Sequence, residues 1–194
     1  FIMHDKVKKN YKHSVEMGRF HFYDFKPKTT LLNNTLNKSN RNNVLVVDPD
    51  GYEWRDYKEV DVNALQNVTG GTNKILAPTK DEIELLINFR NGILVLDDCR
   101  YYANKRLENE IRKILIRRRQ NAIDLFAVAH SLSEVPNDFY TFATHIIIFK
   151  SNDSVVRLRQ SVDKDKLENL KNVIDRVNQH KNRHYFEIVS LNTL

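Results

Sequence analysis

The stretch NGILVLDDCRYY, residues 91–102, runs four aliphatic residues, Ile93 to Leu96, straight into two adjacent acids, Asp97 and Asp98. A run this short, preceded by Asn91-Gly92 and closed by acids, has the length of a strand buried on both faces rather than of a helix. The chain repeats the pattern. NVLVVDPDG (43–51) closes in Asp-Pro and Gly, AIDLFAVAHS (122–131) in a histidine and a serine, and HIIIFK (145–150) in a lysine. HYFEIVSL (184–191) reads as a last strand.

Helical periods lie between these runs. KTTLLNNTLNK (28–38) puts Leu31, Leu32 and Leu36 on one face. A helix over about 79–90 opens on Thr79 with Glu82, a capping box, and buries Ile83, Leu86 and Ile87. NKRLENEIRKILIRRR (104–119) aligns Leu107, Ile111 and Leu115, and residues 165–178 turn Leu167, Leu170, Ile174 and Val177 inward. Residues 51–78 read as irregular, broken at Gly70-Gly71, and the first twenty residues show no period. Continuous apolar strands alternating with helices predict an α/β fold, a mostly parallel central sheet flanked by helices. It is expected as a single domain over residues 21–194, with 1–20 as an N-terminal extension. Ligands of such sheets bind at the carboxyl ends of the strands, where Asp48, Asp97 and His130 stand.

The composition sets outer bounds. At 194 residues, 41% hydrophobic and 29% charged, the chain reads as one ordinary globular domain. No apolar run approaches the roughly 20 residues that span a bilayer, so no membrane span is expected. The start, FIMHDKVKKNYKH, turns polar after three residues, unlike a secretory signal. One cysteine, Cys99, excludes an internal disulfide and fits a reducing compartment such as the cytoplasm. The seven histidines show no metal-binding spacing, which argues against zinc. A net charge of +6 leans toward a polyanion such as DNA.

An acid pair at a strand end is the Walker B pattern of nucleotide hydrolysis. Asp97 would hold Mg²⁺, usually through water, and Asp98 would orient or deprotonate the attacking water. The plain alternative is a pair that only tops its strand. A hydrolytic site also needs a phosphate loop, G-x-x-x-x-G-K-[ST], whose glycines let backbone N–H groups wrap the phosphates. The Lys-Thr that opens a helix ahead of the first strand pair is Lys28-Thr29, followed by Thr30, in FYDFKPKTTLL. Phe22 and Pro27 hold the two glycine positions, and neither suits the positive φ of such a loop.

Taken in order, GILVLDDCR, the helix ending in IRRR, AIDLFAVAHSLSEVP and THIIIFKSND make the segment from Gly92 to Phe149 resemble the FtsK/HerA-type P-loop ATPases. It resembles in particular the small viral genome-packaging ATPases and the related zonular-occludens-toxin-like proteins of phages. The order of elements over residues 28–150 follows the same family. The resemblance implies a RecA-like core, ATP with Mg²⁺, a homo-oligomeric ring and DNA translocation, in a bacterial or a virus's host cytoplasm. It makes Asp97 the Mg²⁺ acid, Asp98 the catalytic acid and His130 the sensor of the γ-phosphate. One of Arg117, Arg118 and Arg119 becomes the finger offered to a neighbouring subunit. Lys28, Thr29 and Thr30 match the phosphate-binding lysine and hydroxyls, with Thr29 also on the metal.

Each of these residues has a plainer reading. Arg117–Arg119 suit a solvated helix end, where cations meet the helix dipole. A lone His130 suits a hydrogen-bonded core position, and Trp54 in GYEWRDY suits packing more than stacking on a base. KDKLENLKNVIDRVNQHKNRH reads as a helix packed on the sheet. The departure at Phe22 and Pro27 raises a second function, a degenerate relative that does not hydrolyse and works as an assembly subunit. A third is a metal-dependent nuclease built on Asp48, Asp97 and Asp98.

Overall fold

The computed structural model describes residues 2–3, 27–98, 101, 105–132, 135–151 and 164–191, with the side chains of 2–3, 27–29, 80, 105–108 and 164–166 outside that description. The strands are β1 (Ile2–Met3), β2 (Asn43–Asp48), β3 (Lys58–Glu59), β4 (Gly71–Leu76), β5 (Gly92–Leu96), β6 (Ile123–Ala127), β7 (His145–Phe149) and β8 (Phe186–Ser190). The helices are α1 (Pro27–Lys38), α2 (Lys80–Leu85), α3 (Lys105–Arg117), α4 (Asn137–Phe142) and α5 (Lys164–Gln179), with a 3₁₀ helix at Val62–Asn67. One eight-stranded sheet runs in the order β3-β4-β2-β5-β6-β1-β7-β8. The five strands from β3 to β6 are parallel. β1 is antiparallel to β6 and β7, and β8 is antiparallel to β7.

The central strands are buried from end to end and alternate between two cores. Leu45, Val47, Leu94, Leu96 and Leu125 face the larger core, which is closed by Ile83, Leu86, Phe89, Ile111, Leu115, Phe139, Leu170 and Val177. Val44, Val46, Ile93, Val95 and Phe126 face the smaller core, where Leu32 and Leu36 of α1 meet Trp54 and Tyr57. The sheet is therefore covered by α1 on one face and by α2 to α5 on the other.

The expected α/β architecture is present, with local differences. The stretch expected to be irregular, 51–78, contains β3, the 3₁₀ helix and β4. The glycine pair is where β4 begins rather than a break. Gly71 takes φ +82 and its N–H donates to the Asn42 carbonyl at 2.6 Å. Polar side chains hid this strand: Asn73 and Lys74 are buried, and Asn73 Nδ2 donates to the carbonyls of Val44, Gly70 and Gly71. The capping box at Thr79 and Glu82 forms, but the helix gives way to a 3₁₀ turn at Leu86–Asn88. The strand expected to reach residue 131 stops at Ala127, leaving His130 in the following loop. Ile2–Met3 pairs with β6 and β7, while residues 4–26, and with them Phe22, lie outside the described residues.

Candidate nucleotide site at the carboxyl edge

Strand register brings the acids together. Val47 of β2 lies level with Leu96 of β5, so Asp48 and Asp97 occupy neighbouring strand ends. Alternation sends both toward the α1 face, because Val46 and Val95 belong to the smaller core. The Asp97 N–H donates to the Val47 carbonyl at 3.0 Å, and Val128 N–H donates to Leu96 at 3.0 Å. The β6 end is thereby level with the pair. Asp98 departs from the strand with φ +48 and donates its N–H to Asp97 Oδ1 at 3.1 Å. An aspartate tolerates this left-handed conformation better than most side chains, and such strain concentrates at functional turns.

Both acids are buried, Asp48 to 1% exposure and Asp97 to 9%. Asp48 Oδ1 accepts the N–H groups of Asp50 and Gly51 at 3.3 and 2.9 Å, fixing the Asp-Pro-Asp-Gly turn. Its Oδ2 is buried with no hydrogen-bond partner. Asp97 Oδ2 accepts the indole N–H of Trp54 at 2.7 Å. The Asp97 carboxyl is held above its ordinary value of 3.8, first by burial. The bonds from Trp54 and Asp98 oppose that shift, and the charges of Asp48 and Asp98 add to it.

The helix α1 completes this edge. Its end leads through residues 39–42 into the amino end of β2, and Arg41 Nε pairs with Asp124 Oδ2 near the amino end of β6 at 3.2 Å. The helix thus runs antiparallel to β2, and its first turn points toward the Asp48–Asp97 edge. Twelve helical residues and six strand residues both span about 20 Å. Lys28 and Thr29 lie in that turn, their side chains outside the description, and Thr30 is exposed. Pro27 is the first helical residue, a favoured place for proline.

The donors fit Mg²⁺. An orphaned carboxylate oxygen on Asp48, beside the desolvated acid Asp97, is what a hard cation with oxygen ligands would relieve. Among the described residues no group of three or more His, Cys, Asp and Glu side chains is placed to hold a metal ion. Two carboxylates are the number that Mg²⁺ takes where water and phosphate oxygens complete its shell.

The other predicted residues are placed differently. His130 is exposed in the loop after β6, at the same edge as the acids. Arg117–Arg119 lie at the opposite edge, because α3 carries the chain back to the amino ends of the strands. There Asn91 N–H donates to the Asn121 carbonyl at 2.9 Å and Arg90 Nη1 donates to Asn121 Oδ1 at 2.5 Å. Arg118 differs from its two neighbours. It is 6% exposed, donates to the carbonyls of Leu115 and Phe142 at 2.6 and 3.2 Å, and sits 5.9 Å from the Phe142 ring centre. It packs at the end of α3, whereas Arg117 and Arg119 are exposed. Trp54 is the residue that sequence reasoning placed only as packing. Its one visible signal was a lone tryptophan just past an acid-tipped strand.

No protein-family model and no curated protein sequence matches the chain. Solved structures do. The genome packaging NTPase B204 of Sulfolobus turreted icosahedral virus 2, in complex with ATP-gammaS, has a TM-score of 0.61 at 11% identity, covering 86% of this chain and 87% of that one. The same protein with AMP gives 0.59 at 12%, over 96% and 89%. B204 from Sulfolobus Turreted Icosahedral Virus, a DNA-packaging ATPase, gives 0.58 at 14%, over 85% and 83%. At these identities the likeness shows the fold alone, an α/β fold with a largely parallel central sheet shared with these packaging NTPases. Among the described residues no helix is long and apolar enough to cross a membrane.

Proposed function

We propose that the chain is a nucleotide-binding, ATP-hydrolysing subunit of the genome-packaging type, acting on DNA as an oligomer. The observation that carries this is the convergence of Asp48, Asp97 and Asp98 at one sheet edge, on the side toward which the first turn of α1 points. It accords with the resemblance to FtsK/HerA-type ATPases and with the nucleotide-bound B204 structures that share the fold. Lys28 and the amino end of α1 would hold phosphate, since helix N-termini favour anions. Thr29 and Asp97 would hold the metal, with Asp48 beside them. Mg²⁺, when bound, neutralises charge on the phosphates. Asp98 would orient the attacking water, and His130 would read the γ-phosphate from the neighbouring loop. Arg117 or Arg119, exposed at the far edge, would serve the site of the next subunit in a head-to-tail ring.

A second reading is an assembly subunit without turnover, and Phe22 and Pro27 at the glycine positions favour it. ATPase rate against protein concentration, with and without DNA, separates the two. The motor requires a rate that climbs with concentration as neighbours complete each site. No turnover at any concentration, with DNA present, decides for the assembly subunit.

A further inference from the structure

We propose that Trp54 is the positioning residue of Asp97, clamping its carboxylate for the metal and tying it to the helix that carries Lys28 and Thr29. The inference rests on the nucleotide-site reading above and adds a part that the acid and lysine motifs do not contain. A buried indole N–H needs an acceptor. Trp54, 2% exposed, takes Asp97 Oδ2 at 2.7 Å rather than a backbone carbonyl, although Asp97 lies 43 residues away. With Asp98 N–H on Oδ1, each oxygen of Asp97 is fixed by one donor and keeps a free direction. The carboxylate plane is therefore set before any cation arrives.

The clamp continues to α1. Tyr57 meets Trp54 edge-on, with ring centres 5.1 Å apart at 64°. Its hydroxyl donates to Asn33 Oδ1 of α1 at 3.1 Å. Two aromatic side chains from one loop thus bridge the metal acid to the phosphate-side helix. In a chain whose phosphate loop has Phe22 and Pro27 where glycines would stand, this bridge supplies a relation between the two halves of the site that does not depend on the loop.

Trp54 is the only tryptophan in the chain, so it can be replaced selectively by analogues. Benzothienylalanine keeps the ring shape and loses the N–H, while 7-azatryptophan keeps the N–H. Affinity for a non-hydrolysable ATP analogue is measured by calorimetry with Mg²⁺ and again with chelator, beside Trp54→Phe and a thermal-unfolding control. The benzothienyl protein is expected to lose about tenfold in the Mg²⁺-dependent affinity, the worth of one charge-assisted hydrogen bond, with its metal-free affinity unchanged. The azatryptophan protein is expected to match the parent. Equal Mg²⁺ dependence in all of them overturns the proposal, and so does an equal loss with and without Mg²⁺, which is a general packing defect. A parent that binds no nucleotide overturns the site reading itself, an outcome distinct from both.

Discussion

Replacing Asp48 by asparagine should make the metal-free protein more stable and the proposed nucleotide site worse. Asp48 is buried beside Asp97, with Oδ2 lacking any partner and Oδ1 capping the turn to Gly51. Asparagine keeps the Oδ1 cap and removes one of two like charges on strand ends about 5 Å apart. At an effective dielectric near 20 that repulsion has an upper value of about 3 kcal/mol. Burial already favours the protonated form of Asp97, which relieves part of it. The expected net gain is about 1–2 kcal/mol, a rise of about 0.5–1 M in the urea midpoint. Calorimetry of the same variant should show weaker binding of Mg²⁺ with an ATP analogue, because the proposed metal site loses a carboxylate charge beside Asp97. Higher stability at lost affinity is the signature of a site that keeps strain for function. An Asp48→Asn protein that is less stable and binds Mg²⁺-nucleotide like the parent would leave Asp48 as a turn cap and nothing more.

Arg118→Ala should lower stability by about 1–3 kcal/mol, through two lost bonds to carbonyls that are left unsatisfied. Arg117→Ala and Arg119→Ala should stay within about 0.5 kcal/mol in urea unfolding, because both side chains are exposed. Gly92→Ala would bring a Cβ to 2.4 Å from the Asn43 carbonyl oxygen and 2.8 Å from the Phe89 ring. It should cost about 1–3 kcal/mol or more, by forcing β2 and β5 apart, and an unchanged urea midpoint would contradict that packing. Asp97 also predicts a pH dependence. Its raised value makes its contribution to metal-free stability fullest below 3.8 and lost as pH climbs through the folded value. Mg²⁺ binds the carboxylate form and so works in the opposite sense. The thermal shift produced by Mg²⁺-nucleotide should be full at neutral pH and vanish on acidification, at a pH above 3.8 that Asp97→Asn does not reproduce.

What the sequence shows and what it hides differ for physical reasons. β2, β5 and β6 are visible because both faces are buried, so their aliphatic residues run without interruption. The start of α2 is visible because capping needs two residue types three positions apart. β4 is hidden because it buries Asn73 and Lys74, and the hydrogen bonds that satisfy Asn73 arise only once the sheet has formed. The three arginines at 117–119 look alike in sequence, and only the turn after α3 buries the middle one. The meeting of Asp48 and Asp97 could be expected from their strand-end positions. The Trp54–Asp97 bond could not, because it joins a loop to a strand 43 residues on and carries no period.

If α1 and the acid edge form one nucleotide site, as proposed, Lys28 contributes to it, and titration of a non-hydrolysable ATP analogue with Mg²⁺ into the parent and into Lys28→Ala shows whether it does. The parent should bind, and the variant should bind roughly ten- to hundredfold more weakly, the worth of a charge-assisted contact of about 1.5–3 kcal/mol. Equal affinities in the two proteins, or none in either, would contradict it.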